Sequence, residues 1–193
     1  DVSNLASPNV QSNSALLSTT GLSLGTSSNG GLASNYNTVA TTSNVSVSIT
    51  PATASLSGLK VYDATTGLTG TQLTITGVAV GGTSQTLGYS GTANLFDANV
   101  ATANNYVVGS GLSLTNGTGL ASNYVLPAFS YNSTYNHASV SAATAVVSAS
   151  KTYDTGVALS AGDVTLTGVS VNGVAQTLGY TGTATLSDPN VAT

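Results

Sequence analysis

The chain has very few charged side chains. Its 193 residues include only two lysines and six aspartates, which gives 4% charged residues and a net charge of −4, against about 25% charged residues in an ordinary globular domain. Two isolated lysines cannot form the basic groove that nucleic acids require, so we expect no nucleic acid partner. The polar share is carried instead by Ser, Thr, Asn and Gly.

The chain also lacks cysteine and any long apolar run. Cysteine is absent, which excludes disulfides, thiolate metal sites and cysteine nucleophiles. No apolar run approaches the roughly 20 residues needed to cross a bilayer, so no membrane span is expected. Hydrophobic residues nevertheless make up 40% of the chain, which is enough to bury a core. The composition therefore predicts a folded chain that is not an enzyme and has no catalytic residues, cofactor or metal.

The sequence repeats itself with a period of about 91 residues. Lys151 follows Lys60 by 151 − 60 = 91 positions, and each begins a Lys-x-Tyr-Asp motif. The same spacing relates two longer pairs of segments, 85–93 with 176–184 and 97–102 with 188–193. Two further pairs lie 90 and 88 residues apart, 21–24 with 111–114 and 31–36 with 119–124. Drifts of one to three residues are typical of loop-length changes between equivalent strands.

The local pattern is that of β-strands. Apolar and polar residues alternate in segments 45–49, 73–78 and 164–169, as half-buried strands require. Asn172-Gly173 and Gly81-Gly82 predict tight hairpins, because both central residues of such turns need positive φ. About seven short strands per unit predict an all-β fold of tandem immunoglobulin-like β-sandwich repeats of about 90 residues. A continuous β-helix is the alternative, and it would show a period of roughly 20–30 residues per coil.

The phase of the repeat predicts three segments. Residues 1–50 form the back half of a repeat, 51–141 a complete repeat and 142–193 a front half. If 193 residues are a whole subunit, the front half of one copy could complete the back half of the next. Such a head-to-tail contact is heterologous and propagates as an open filament. The alternative is a window of a longer continuous repeat chain, and the sequence leaves both open.

The motifs resemble the YDG repeat domain of large secreted bacterial adhesins, the filamentous-haemagglutinin-like surface proteins. The resemblance rests on motifs that recur in order along the whole chain, namely Ile49-Thr50-Pro51-Ala52, Lys60-Val61-Tyr62-Asp63, Lys151-Thr152-Tyr153-Asp154, Gly182 to Val191, and the Ala-Ser-Asn-Tyr segments 33–36 and 121–124. One feature departs from the family, since Ala64 and Thr155 replace the glycine that follows Tyr-Asp. This substitution puts the usual turn geometry there in doubt.

Four groups of residues are candidate functional sites, and each has a structural alternative. His137 is the only histidine and is expected in a polar linker, without the neighbouring acid that orients the histidine of a catalytic triad. Asp97-Ala98-Asn99 and Asp188-Pro189-Asn190 space two oxygen ligands as calcium loops do, but they lack the six to eight oxygens of a site. We therefore expect Asx turns there, with calcium at a domain junction as the alternative.

The two lysines and four recurring tyrosines are the remaining candidate functional residues. We expect salt bridges from Lys60 to Asp97 and from Lys151 to Asp188 across each sandwich. A Lys–Asn or Lys–Asp amide cross-link, visible as a mass deficit, is the alternative. The four tyrosines that recur 91 residues apart are expected to be core or corner residues, with glycan stacking as the alternative; they are Tyr62, Tyr89, Tyr153 and Tyr180.

The resemblance implies display on the bacterial cell surface or outside the cell, and it implies no chemistry. Together with the composition, it predicts a structural repeat segment of an extracellular fibre or adhesin stalk, possible partners being other copies of the chain, adjacent repeats, glycans or a host surface. A glycan-binding adhesin module is the alternative function. Scarce edge charge leaves strands open to pairing between molecules, which supports assembly.

Overall fold

The computed structural model describes residues 7–12, 16, 18–19, 22–37, 47–100 and 104–190. In these residues the fold is all-β, as predicted, and the only helices are single 3₁₀ turns. The strands are β1 (Ala52–Thr53), β2 (Ser55–Val61), β3 (Gly67–Leu68), β4 (Leu73–Val80), β5 (Thr83–Leu95), β6 (Val107–Thr115), β7 (Tyr124–Val125), β8 (Asn136–Ser141), β9 (Val146–Ala149), β10 (Val164–Val171) and β11 (Val174–Leu178). The 3₁₀ turns are Ala33–Asn35, Gly70–Gln72, Ala121–Asn123 and Ala161–Asp163.

Three sheets contain these strands. A six-stranded sheet has the order β3-β5-β4-β2-β8, with β6 also paired to β5. A three-stranded sheet has the order β11-β10-β9, and β1 pairs with β7. The β1–β7 and β2–β8 pairs are parallel, while β4–β5, β10–β9 and β10–β11 are antiparallel.

The strand and hairpin predictions that fall on described residues are confirmed. Segments 73–78 and 164–169 lie in β4 and β10. Gly81 and Gly82 have φ of 61° and 83°, and Asn172 and Gly173 have φ of 52° and 82°, as the predicted hairpin turns require. Segment 45–49 lies partly outside the described residues, and its Ile49 forms an isolated antiparallel bridge with Gln11.

The chain divides into two compact units that interleave along the sequence. The first comprises Asp1–Ser55, Ile75–Tyr89 and Ser113–Leu126, and its buried apolar side chains are Ala54, Ile75, Leu87 and Tyr124. The second comprises Leu56–Thr74, Ser90–Leu112 and Pro127–Thr193. Its buried apolar side chains are Leu56, Leu68, Leu73, Ala93, Leu95, Val107, Leu112, Val140 and Val164. The predicted boundaries at 50/51 and 141/142 remain predictions.

Residues 142–190 repeat the architecture of 51–99. Strand β10 lies 91 residues after β4, and both begin after a 3₁₀ turn closed by a capping box. The register shift between Thr76 and Ala79 recurs between Thr167 and Ser170. The sequence repeat is therefore also a structural repeat.

Candidate functional site

The Lys-x-Tyr-Asp motif of the complete repeat forms a closed turn around a buried lysine. Lys60 points inward from β2, on the same side as Leu56 and Gly58, while Leu59 and Val61 are exposed. Its Nζ lies 3.0 Å from Asp63 Oδ1 and donates to Gly67 O at 2.6 Å and to Thr65 Oγ1 at 2.7 Å. Burial of this ammonium is tolerated because its donors are satisfied.

The second copy builds the same turn. Lys151 Nζ lies 2.8 Å from Asp154 Oδ1 and donates to Gly156 O at 3.2 Å and to Ala158 O at 2.6 Å. These acceptors are the repeat equivalents of Asp63, Thr65 and Gly67. A lysine that binds the turn next to it is thus a shared feature of both copies.

The predicted salt bridges to Asp97 and Asp188 are wrong. Each lysine pairs with the aspartate three residues later in its own motif. The chain reverses immediately after that aspartate, which brings its carboxylate back to the ammonium. Asp97 and Asp188 are instead occupied within their own loops.

The turn persists without glycine. Ala64 and Thr155, at the position where the family has glycine, have φ of 64° and 66°. Both therefore adopt the left-handed conformation that glycine adopts at little cost.

The carboxylates of both motifs have lowered pKa values. Partial burial by itself would raise the pKa of Asp63, but hydrogen bonds from Lys60 and Thr65 and the Lys60 charge together lower it. The pKa of Asp154 is lowered mainly by the hydrogen bond from Lys151 and then by that from the Gly156 backbone. At neutral pH both aspartates are therefore ionised, and each stabilises its turn by pairing with the lysine of its motif.

The two Asp-x-Asn segments are Asx turns, as predicted. Asp97 Oδ1 accepts hydrogen bonds from Asn99 N and Nδ2, both at 2.9 Å. Asp188 Oδ1 accepts the same two bonds from Asn190, at 2.8 and 2.7 Å. In the described part of the chain, no three potential metal-binding side chains of His, Cys, Asp or Glu lie together.

His137 lies in strand β8, paired with Ser57 of β2, and not in a linker. It is exposed, and its Nε2 lies 3.0 Å from the carbonyl oxygen of Thr134. The polar neighbours of His137 suggest a linker, but the alternation of the strand puts Asn136 inward and His137 outward.

The four recurring tyrosines are not core residues. Tyr153 and Tyr180 are exposed, and Tyr62 and Tyr89 are only half-buried. The Tyr180 hydroxyl donates to Ala161 O at 3.0 Å, which is the hydrogen bond expected of a corner tyrosine. The buried tyrosine of the complete repeat is Tyr124 of the Asn-Tyr motif.

Tyr124 packs directly on a strand glycine. A Cβ on Gly77 would lie 2.6 Å from Cε1 of this ring. The Tyr124 hydroxyl donates to Gln85 Oε1 and accepts from Val78 N at 3.2 Å. Sequence reasoning missed this cluster, although a glycine inside a strand pattern is a recognised sign of a close approach.

Asn123, the neighbour of Tyr124, binds segment 9–10 of the same compact unit. Its Oδ1 accepts from Val10 N at 2.9 Å, and its Nδ2 donates to Asn9 Oδ1 at 2.8 Å. Segment 7–10 is the repeat equivalent of the Asp97 Asx turn, 90 residues earlier. The Asn-Tyr motif therefore binds segment 9–10 through Asn123 and contributes to the core of the first unit through Tyr124.

Two asparagines complete the second unit, and sequence reasoning missed both. Asn136 is almost fully buried; it accepts from Val107 N at 2.8 Å and donates to Val107 O at 2.9 Å. Asn105 donates to Asp97 O at 2.7 Å and accepts from Asp97 N at 3.1 Å. Both side chains substitute for backbone pairing where strands end, as buried polar groups must.

The corresponding region of residues 142–190 is an open groove of about 420 Å³. Its lining includes Lys151, Tyr153, Asp154, Asp188 and Asn190. In the complete repeat, the equivalents of the two groove walls are joined by Asn105, which binds Asp97, and by β8, which pairs with β2.

No helix among the described residues has the length and apolar character needed to span a membrane.

A protein-family model described as the YDG domain matches residues 45–134. Neither a curated protein nor a solved structure gives a significant match to the chain.

Proposed function

Because residues 45–134 form a YDG domain, we propose that this chain is a structural repeat segment of a bacterial extracellular fibre or cell-surface adhesin stalk. The proposal assigns it no catalytic role and places it outside the cell. Its finer form is that each repeat of about 90 residues closes as an immunoglobulin-like β-sandwich.

The structural recurrence at 91 residues carries the proposal. The strands, the 3₁₀ turn, the lysine-bound turn and the Asx turn recur in the same order in both copies. Repetition of one unit lengthens a molecule without adding a new site, which suits a stalk. The two hydrogen bonds between Asn123 and segment 9–10, one accepted and one donated by Asn123, further support contact between consecutive repeats.

The surface chemistry is consistent with this role. Few ionisable groups are present, so the hydration of the Ser, Thr and Asn surface depends little on salt or pH. A molecule exposed to a variable external medium benefits from that independence.

Immunogold electron microscopy with antibodies raised against residues 51–141 tests the proposal. We expect gold particles on the surface of intact cells or on extracellular fibres, and none on cells from which the gene has been deleted. Labelling that requires permeabilisation of the cells would contradict the proposal.

A glycan-binding adhesin module is the second candidate. The observation that favours it is the groove in residues 142–190, where exposed Tyr153 lies with Asp154 and Asn190, a combination of aromatic and polar groups that suits sugars. A glycan array probed with the chain tests it, and binding lost on Tyr153→Ala would favour this candidate over a purely structural role.

A further inference from the structure

The two lysines are the residues after which a trypsin-like protease would cut this chain. Such an enzyme takes the lysine or arginine before the scissile bond into a pocket whose aspartate accepts the side-chain charge. The 193 residues contain two basic residues in total, Lys60 and Lys151. The bonds at risk are therefore Lys60–Val61 and Lys151–Thr152, and access to the two ammonium groups decides whether the enzyme can recognise them.

Both ammonium groups are bound inside the fold. The side chains of Lys60 and Lys151 are 2% and 11% exposed. Lys60 Nζ has four oxygen acceptors within 3.2 Å, and Lys151 Nζ has three. Each set is large enough to engage all three hydrogens of an ammonium. A protease that takes up either lysine must therefore first break the contacts that hold its turn.

The backbone of Lys60 is protected as well. Strand β2 lies between β4 and β8, and Lys60 is aligned with Val140 of β8. Beyond the scissile bond, Tyr62 N donates to Ser141 O at 2.8 Å. Proteolysis of a folded protein proceeds through local or global opening of the cleaved segment. Cleavage after Lys60 therefore requires that β2 leave both neighbouring strands in addition to the opening of the turn.

This burial is unusual for the residue type and is not a general property of the surface. Lysine is almost never buried in folded proteins unless it is paired. Large side chains of other types are open to solvent in the same unit, since Tyr131 and Tyr135 are 62% and 49% exposed. The fold thus encloses the lysines and leaves bulky aromatic residues accessible.

From these contacts we infer that the lysine-bound turn protects the folded chain from trypsin-like serine proteases. One structure has both effects, because the ammonium that stabilises the reversal of the chain is also the group that such an enzyme must recognise. The inference goes beyond the proposed function and does not rest on it, since it follows from the folded chain wherever that chain is located.

Digestion of the 193-residue chain with trypsin, followed by mass spectrometry, tests the inference. The reference is a pair of synthetic peptides spanning residues 56–65 and 147–156, which contain the same two bonds without the fold. We expect both bonds to be cut at least about tenfold more slowly in the folded chain than in the peptides, because cleavage follows the population of the opened state.

Tyr131→Lys provides the matched control. It places a lysine at an exposed turn position outside the strands, where exposed loop tips are preferred sites of cleavage. We expect rapid cleavage after position 131 while the bonds after Lys60 and Lys151 stay intact. Circular dichroism and the unfolding midpoint check that the variant is folded.

Asp154→Asn tests the turn itself. This substitution removes the charge partner of Lys151 and leaves the Lys60 turn unchanged. We expect severalfold faster cleavage after Lys151 and an unchanged rate after Lys60, which serves as the internal reference.

Two results would overturn the inference. One is a wild-type chain cut as fast as the peptides. The other is a folded Tyr131→Lys chain that resists trypsin at position 131, because the fold would then exclude the enzyme from any lysine, bound or free. Neither result would affect surface display, which the immunogold experiment measures separately.

Discussion

At the scale of the residue, the lysine-bound turn is the feature that both copies share most closely. A buried ammonium needs several acceptors, and one carboxylate, two carbonyls and a hydroxyl surround Lys60. The second copy has Gly156 at the position of Thr65 and so lacks the hydroxyl. The motif therefore stabilises a local reversal of the chain and needs no partner from the opposite side of the repeat.

The left-handed conformation of Ala64 gives the first prediction. Ala64→Gly should raise the free energy of unfolding by about 1 kcal/mol, because an L-residue in this region costs roughly 1–2 kcal/mol and the greater freedom of unfolded glycine offsets only part of that. Urea unfolding measures it. Ala79→Gly, at an exposed strand position without positive φ, is the control and should be destabilising. Equal losses for both variants would show that the turn is unstrained.

Acid should loosen the same turn. The pKa of Asp63 is lower in the folded chain than its ordinary value of 3.8, so the folded state binds fewer protons than the unfolded state. The stabilisation is present above pH 3.8 and is lost as the pH falls through the lowered folded value. Asp63→Asn should unfold at lower urea than the wild type at pH 7, by a small margin because Asp63 is half-exposed and screened. The two should converge well below about pH 4, where both side chains are neutral, and a constant difference would contradict the assignment.

At the scale of the element, a glycine inside each long strand determines what packs on it. The register shift in β4 and β10 occurs beside Gly77 and Gly168. In the complete repeat this position admits Tyr124, whose hydroxyl satisfies the Val78 amide next to the irregularity. The alternation of β4 predicted a strand, but the backbone irregularity and the ring that covers it were not evident from the pattern.

Substitution of the two glycines should have different effects. Gly77→Ala should lower the free energy of unfolding by about 1–3 kcal/mol, since overpacking a filled site has that cost. Gly168→Ala should change it by no more than about 0.5 kcal/mol, as at an ordinary surface position, because the added Cβ would meet Gln176 at an ordinary contact distance of 3.5 Å. Thermal unfolding followed by circular dichroism compares them. A harmless Gly77→Ala would mean that the Tyr124 ring does not occupy this place.

At the scale of the whole molecule, the small number of charged residues should make the free energy of unfolding nearly independent of ionic strength. The only ion pairs among the described residues are those of Lys60 and Lys151 with their own motifs, and the aspartate in each is about half-exposed. Surface pairs of this kind contribute about 0–1 kcal/mol. Stability therefore rests mainly on apolar burial and neutral hydrogen bonds.

The urea midpoint should accordingly change little between about 0.05 and 0.5 M NaCl, although the Debye length falls severalfold over that range. Urea titrations at both salt concentrations measure this. The internal reference is the Asp63→Asn variant, in which the Lys60 charge lacks its partner. A large salt-dependent loss of stability in the wild type would mean that ion pairs, and not neutral contacts, hold the fold together.

The repeat, its period, the strands, the hairpin turns and the Asx turns could all be predicted from the order of the residues alone. All of these depend on residues close together in the chain, such as the positive φ of Asn172-Gly173 or the alternation of β4. It also carried the YDG motifs, which recur in a fixed order.

The contacts between residues far apart in the chain became evident only in the folded structure. It paired Lys60 with Asp63 instead of Asp97, buried Tyr124 in place of Tyr62 and Tyr89, and set Asn123 against segment 9–10. Equivalent positions of the two copies also differ in burial, since Leu56 is buried and Val147 is exposed. The physical reason is that burial depends on which strands cover a position, and a local pattern does not specify a strand that comes from far along the chain.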